Sequence, residues 1–325
     1  MADPGSPLVS VLMPAYNHER FVREAIESAW KQSHANIELV VIDDGSSDGT
    51  FRILEELAAA SPVPMQVRTQ ANQGIARTLN SLVADARGEW LAFLSSDDFY
   101  SPQFIERNLA AAATAGERGV VIHSDAWIVE ASGRVTGRIG PLRSTSPARG
   151  DAFDLIATGK AHVVSAGIFL RRDLLLAAGG FDPTMVAEDL DLHLRLARRA
   201  RFHYLDEPLF FSRHTPGSLG KRPWLWGDSI IRSLAKHEDI LGSRLPALLS
   251  KSSENIAVAC FEQGERRPGL HWARRALAYA PGLSAQSATA ARLAVRSARA
   301  TMRSLAVRLF GRERLVRVKR KLQRA

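Results

Sequence analysis

The sequence predicts an α/β fold on a mostly parallel sheet, and three observations carry that prediction. Residues 8–50 give an apolar run, a helical pattern and a second apolar run. Residues 72–102 add another helical pattern and apolar run, and the two blocks end on acidic pairs, Asp43-Asp44 and Asp97-Asp98. In the first block, Leu8–Met13 is a buried strand stopped by Pro14, Phe21–Trp30 carries helical spacing, and Glu38–Ile42 is the second strand. Parallel strands joined by a right-handed crossover place their carboxyl ends on one sheet edge. Tyr16-Asn17 and Asp43-Asp44 therefore face a common crevice, where open α/β sheets bind ligands.

An aromatic ring and carboxylates suit a nucleoside better than a bare phosphate. The ring can lie against a base, and a carboxylate accepts hydrogen bonds from a base N–H or ribose hydroxyls. Neither G-x-G-x-x-G nor G-x-x-x-x-G-K-[ST] occurs in the chain, so a diphosphate here needs a metal. Asp43–Ser46 is also readable as a plain turn with a helix cap at Ser47 or Asp48. In the second block a helix covers Ile75–Ala86, Gly88 turns the chain, and Trp90–Leu94 is a buried strand that brings Asp97 and Asp98 to the same edge. A carboxylate with phosphate oxygens and waters makes a Mg²⁺ or Mn²⁺ site, although Asp98 also suits the turn before a helix opening at Pro102.

The chain resembles the glycosyltransferase family 2 enzymes over about residues 8–215. The likeness runs through P-A-Y-N at Pro14–Asn17, D-D-G-S at Asp43–Ser46, N-x-G at Asn72–Gly74, S-S-D-D at Ser95–Asp98, G-G-F-D at Gly179–Asp182 and E-D at Glu188-Asp189. It implies the GT-A nucleotide-diphospho-sugar fold, a Rossmann-like mixed sheet between helices, with a C-terminal helical extension. It also implies an inverting transfer of a sugar from a nucleotide-diphospho sugar, a UDP-sugar first, to the hydroxyl of a glycan or lipid-linked glycan in surface polysaccharide, lipopolysaccharide or glycolipid synthesis. By that likeness Pro14, Tyr16, Asn17, Asp43, Asp44, Arg77 and Asp97 bind the nucleotide sugar, with Asp44 on the base and Asp97 on the ribose. Asp98 and His214 hold a divalent cation, Mn²⁺ or Mg²⁺. Many members carry Asp where this chain has Ser95, which bears on metal dependence. The alternative is a non-catalytic nucleotide-sugar-binding or membrane-docking member of the fold; a sugar nucleotidylyltransferase lacks support because its Gly-rich basic loop is missing.

Inverting chemistry needs one base. Glu188 and Asp189 open a helix whose positive end favours an ionised carboxylate. Asp189 and Asp191 lie about 200° apart around that helix, so at most one faces the crevice. The resemblance selects Asp189 as the base, and Asp191→Asn is expected to do little. Arg213, at the end of a strand over Pro208–Arg213, is read as a diphosphate ligand or a solvated arginine. His162 is read as an acceptor-pocket or surface residue, and Thr215–Trp226 as a flap or a packed aromatic loop.

Four segments are expected: a disordered lead at 1–7, the GT-A domain at 8–223, a helical extension at 224–289 and a basic amphipathic tail at 290–325. Glu254–Gly282 reads as two helices about a Gly-Pro-bearing turn. The lone Cys260 excludes an internal disulfide and points to a reducing compartment. Residues 290–325 hold twelve Lys or Arg and one acid, a net of +11, which leaves 9 − 11 = −2 for the rest. Val295, Ala298, Met302, Leu305 and Leu309 share a helical face beside an arginine stripe of Arg292, Arg296, Arg299 and Arg303, with a further basic cluster at Arg317–Lys321. That pattern predicts a cytoplasmic protein peripheral to an anionic membrane, or else a helix docked on the body; no nucleic-acid motif accompanies the charge.

Overall fold

The computed structural model describes residues 6–115, 119–142, 145–214 and 222–310. The chain divides into two compact units, Met1–Pro216 and Gly217–Ala325.

The first unit opens with β1 (Val9–Ala15), α1 (Val22–Trp30), β2 (Ile37–Asp43), α2 (Thr50–Ala59), β3 (Met65–Thr69), α3 (Ile75–Asp85) and β4 (Trp90–Phe93). It continues through β5 (Phe99–Tyr100), α4 (Phe104–Ala115), β6 (Val120–Val129), β7 (Val135–Arg138), α5 (Ile139–Leu142), β8 (Ser146–Pro147), α6 (Phe153–Ala157) and β9 (Ala161–His162). It closes with β10 (Ile168–Arg171), α7 (Arg172–Ala177), α8 (Asp189–Ala197) and β11 (Arg201–Arg213). The main sheet has the order β3-β2-β1-β4-β10-β6-β11-β5, with β7 beside β6. Strands β3, β2, β1 and β4 are parallel, whereas β10 runs antiparallel to both neighbours.

Strand order reverses between β1 and β4, because β2 and β3 extend to one side of β1 and β4 to the other. That is the switch point at which the carboxyl edge of an open sheet forms a ligand crevice. Every residue of β2, and all but Pro14 of β1, is buried, as central strands covered on both faces must be. Alternation assigns the faces: Val9, Val11, Met13 and Ala15 pack with Ile26, Leu54 and Phe104 of α1, α2 and α4. On the opposite face Ser10 donates to the buried Glu38 at 2.6 Å, and Arg87, just past α3, closes over the same carboxylate at 2.7 Å. Burial works to raise the Glu38 pKa, but the hydrogen bonds from Ser10 and Arg87 outweigh it and hold the carboxyl below its usual range.

Ser6 and Pro7 are tied down rather than loose. Asn36 donates to the Ser6 carbonyl at 2.7 Å, and the His34 ring meets the Pro7 carbonyl at 2.9 Å.

The second unit is helical: α9 (Pro223–Ala235), α10 (Glu238–Leu241), α11 (Leu245–Glu262), α12 (Arg266–Tyr279) and α13 (Gly282–Phe310). Of the expected flap, residues 215–221 lie outside the described residues, while Trp224 and Trp226 belong to α9, with Pro223 at its first turn. The Gly-Pro-bearing turn is also displaced. Gly264 turns the chain with a φ of 82°, and Pro268 sits inside the first turn of α12, where its missing N–H costs no helical bond. Gly269 allows close packing there, since a Cβ would lie 2.7 Å from the Phe261 ring. Cys260 is fully buried, and burial, then Glu265, pushes its thiol up to about 11. No helix among the described residues is long and apolar enough to cross a membrane.

Helix α13 runs unbroken through residue 290, so the tail is no separate element at its start. Thr289, Leu293 and Ala300 are its buried face, while Val295 stays exposed. Two of the four stripe arginines serve the interior: Arg292 and Arg296 bind the fully buried Glu254 of α11 at 3.1 and 2.5 Å. The cluster at Arg317–Lys321 lies outside the described residues. Burial acts to raise the Glu254 pKa, and the hydrogen bonds from Arg296 and Arg292 more than offset it, so the carboxyl is held below its ordinary value.

Replacing Arg292 and Arg296 together with alanine is expected to cost about 3 kcal/mol in urea denaturation, the low end for a broken buried pair because both guanidiniums are partly open to water. A carboxyl with a depressed folded-state pKa stabilises above its unfolded value and loses that contribution as pH falls through the folded one. The two proteins should therefore differ most near neutral pH and converge in acid.

Candidate active site

Three loops at the switch point interlock before any ligand is considered. Asn17 adopts a φ of 53°, its N–H donates to Ser46 at 2.9 Å, and its side-chain carbonyl accepts the Ser47 N–H at 2.8 Å. P-A-Y-N is thus clipped to D-D-G-S. Gly45, at a φ of 77°, lets the backbone pass the third loop, for a Cβ there would stand 2.9 Å from the Asn72 nitrogen. Asp44 is buried and accepts Gln70 and the Gln73 N–H on one oxygen and the Gly74 N–H on the other, at 2.8, 3.0 and 3.0 Å. Asp43 accepts the Ser46 N–H and the Thr69 hydroxyl on Oδ2, while its buried Oδ1 has no hydrogen-bond partner among the described residues. Tyr16 leaves this frame with its ring half exposed.

The second acidic pair sits between β4 and β5. Because β5 pairs with β11, placing Tyr100 against Phe210 and Phe99 against Phe211, the end of β11 arrives beside Asp97 and Asp98. The Arg213 N–H donates to Asp98 Oδ1 at 2.7 Å, and its guanidinium binds the carbonyls of Asp97 and Glu130 and the Glu24 carboxylate. It also lies over the rings of Phe21 and Phe99. Arg213 is therefore buried and committed to the protein, neither solvated nor free for a diphosphate. Asp98 is almost fully buried, and desolvation, then the charge of Asp97, raises its carboxyl well above the usual range. His18 completes the group, with Nδ1 2.8 Å from the Ser96 hydroxyl and Nε2 3.8 Å from Asp97 Oδ2.

The third acidic element is the start of α8. Asp189 accepts the Ser165 hydroxyl at 2.9 Å on Oδ2 and the Leu190 N–H at 2.8 Å on Oδ1. Glu188 beside it is pushed up to about 7 by burial and then by Asp189. Asp191 is fully buried and bound by Arg195 at 2.7 Å, so Asp191→Asn, expected to be silent, instead removes a charge from a buried ion pair. The approach to α8 is held by Asn80 of α3, whose amide donates to the Phe181 carbonyl at 2.8 Å and accepts the Phe181 N–H at 2.9 Å. A cavity of about 210 Å³ adjoins Asp189, with Pro14, Ser95, Phe93, Phe181 and Glu188 among its lining residues.

Two residues stand apart from this frame. Arg77 is exposed on the first turn of α3, without an ion-pair partner among the described residues. His214 is exposed and donates its N–H to the Val129 carbonyl; no group of three or more His, Cys, Asp or Glu with metal-ligand geometry occurs among the described residues. His162 is buried and paired with Thr145 at 3.0 Å, and does not line the cavity. Sequence reasoning missed His18, Ser96, Asn80 and Ser165. His18 and Ser96 lie beside or in motifs already in view, but Asn80 and Ser165 carry no local signal.

The model of glycosyl transferase family 2 matches residues 10–176. An uncharacterized glycosyltransferase of Nostoc sp. is 31% identical over 180 residues, 54% of each chain, so this chain spans about half the length of that curated relative. Chondroitin synthase of Escherichia coli is 40% identical over 100 residues, 31% of this chain and 14% of that one. Among solved structures, Staphylococcus aureus TarS 1-349 in complex with UDP-GlcNAc aligns over 81% of this chain and 88% of its own, with a TM-score of 0.57 and 18% identity. The mannosyltransferase PcManGT from Pyrobaculum calidifontis, in complex with GDP-Man and Mn²⁺, aligns over 96% and 90%, with a TM-score of 0.56 and 17% identity. The sheet and these likenesses are those of the GT-A fold, and the chain belongs to glycosyl transferase family 2.

Proposed function

We propose that the chain is an inverting glycosyltransferase that moves a sugar from a nucleotide diphosphate to an acceptor hydroxyl. The observation that carries this reading is the convergence of three acidic elements, Asp43-Asp44, Asp97-Asp98 and Asp189, on one sheet edge. In the proposed reaction the acceptor oxygen attacks the anomeric carbon and its proton passes to Asp189. The bond to the diphosphate breaks, and the nucleoside diphosphate leaves with the electron pair. Ser165 and the Leu190 N–H fix the orientation of the Asp189 carboxylate, as a positioned base requires. The Tyr16 ring offers a face for the base. Asp43 Oδ1 is the buried acceptor left for a base N–H or ribose hydroxyl, while Asp44 mainly shapes the Asn72–Gly74 loop.

A divalent cation fits the second pair. Asp98 is a hard oxygen donor, and burial, then the adjacent Asp97 charge, raises its pKa, a penalty that a cation relieves. Asp98, with Asp97 beside it, would hold the ion, and a bound Mn²⁺ or Mg²⁺ supplies charge neutralisation of the diphosphate. His214 remains a candidate ligand. The names of the relatives, a putative glycosyltransferase EpsH of Bacillus subtilis and a chondroitin synthase among them, favour an acceptor in surface polysaccharide or a lipid-linked precursor at the cytoplasmic membrane. The UDP and GDP donors of the structural neighbours keep both bases in play.

Asp189→Asn should leave nucleotide diphosphate affinity near wild type and lower turnover by about 10²–10⁴, measured as sugar-nucleotide hydrolysis with Mn²⁺. Wild-type turnover in that variant would remove Asp189 from the reaction. Asp98→Asn should abolish Mn²⁺-dependent donor binding yet raise the melting temperature of the metal-free protein. An acid whose folded-state pKa is raised stabilises while protonated and loses that contribution as pH rises, so the gain should be larger at pH 8 than in acid. For the membrane reading, the full chain should co-sediment with phosphatidylglycerol vesicles at low salt and dissociate as salt rises. Truncation after Phe310, which spares the arginines on Glu254, should weaken that binding; unchanged sedimentation would exclude residues 311–325 as the anchor.

A further inference from the structure

We infer that the transferred sugar is a 6-deoxyhexose, seated with its methyl-bearing edge against the apolar lining of the cavity beside Asp189. The inference rests on the glycosyltransferase reading above and names its substrate class. At about 210 Å³ the cavity is smaller than the ~300–1,000 Å³ of pockets that hold drug-sized ligands, and it admits one sugar ring rather than a chain. Pro14 and Ser95 belong to the strand edge that carries Asp97 and Asp98, so a sugar tethered to a diphosphate there is delivered to this cavity.

Its lining is mostly hydrocarbon. Ile75 and Leu79 come from α3, Phe93 from β4, Ile168 from β10 and Leu192 from α8, and the Phe181 ring stands edge-on to Phe93 at 5.7 Å. The polar side chains are Ser95, Ser165, Glu188, Asp189 and His193, and among the described residues no Asn, Gln, Lys or Arg lines it. Ser165 is already spent on Asp189. Burial lowers the His193 pKa, and burial, then Asp189, pushes Glu188 up to about 7. Ser95, Glu188 and Asp189 are partners for ring hydroxyls. A further hydroxyl on C6 would face Ile75, Leu79, Phe93 and Phe181, none of which offers a hydrogen bond, and a methyl gains from the same contact. An acetamido carbonyl likewise lacks an amide or cationic donor.

The test is donor hydrolysis by the full chain with Mn²⁺, compared within pairs that differ only at C6. These are UDP-glucose and UDP-6-deoxyglucose, dTDP-glucose and dTDP-6-deoxyglucose, and GDP-mannose and GDP-6-deoxymannose. On whichever nucleotide is turned over, the 6-deoxy donor should lead in kcat/KM by about 10–10²-fold, the range open to an apolar pocket facing an added hydroxyl. Ile75→Thr, at a position 38% exposed and so tolerant of the change, should shrink that ratio about tenfold while affinity for the nucleoside diphosphate alone is kept. Equal or hexose-favoured turnover, turnover of UDP-N-acetylglucosamine alone, or an unchanged ratio in Ile75→Thr overturns the inference and leaves the transferase reading standing. Hydrolysis of no donor, with wild-type folding, overturns both.

Discussion

The buried Arg213 is the interaction on which the rest of the first unit depends. It ends β11, and β11 is the strand that brings the far half of the sheet back to the acidic edge. Its backbone N–H meets Asp98, and its guanidinium ties the Asp97 carbonyl, the Glu130 carbonyl and Glu24 together between two aromatic rings. Hydrogen bonds involving a charged group contribute roughly 1.5–3 kcal/mol each, so this one side chain rivals a large part of a domain's net stability. Its hydrogen bond and charge lower the Asp98 pKa without cancelling the burial and the Asp97 charge that raise it. The acidic pair is therefore held in place while remaining short of positive charge, which is a state that a cationic ligand relieves.

The motif residues bind mainly one another. Asn17 clips the first loop to the second, Asp44 clips the second to the third, and Asn80 fixes the Phe181 backbone ahead of the Glu188-Asp189 helix start. A site assembled this way keeps its geometry without a ligand, so binding need not order the loops that form it. The groups left over are few: the Tyr16 ring, Asp43 Oδ1, Asp97 beside His18, and Asp189 at the mouth of an apolar cavity.

The second unit obeys a different constraint. Its helices enclose a carboxylate, Glu254, that the arginines of α13 must neutralise. A net charge of +11 over residues 290–325 looks uniform in sequence, yet Arg292 and Arg296 are internal counterions, and only the remainder is available to an anionic surface.

By itself the sequence determined the α/β class, the first two parallel strands, the helix–strand block ending at Asp98 and the helix opened by Glu188-Asp189, because apolar periodicity and strand-end acids are local signals. The sugar-transferase family was legible from motif order for the same reason. Only the tertiary structure decided which carboxylate oxygens are already satisfied, since, apart from the Leu190 N–H on Asp189, the partners named for Asp44, Asp98 and Asp189 lie 24 to 115 residues away in the chain. It likewise decided that Arg213 is buried, that Asp191 is an ion-pair partner and that Pro268 is helical. Each of these depends on what packs against the residue, and one side chain's neighbours in space are not written in its neighbours in sequence.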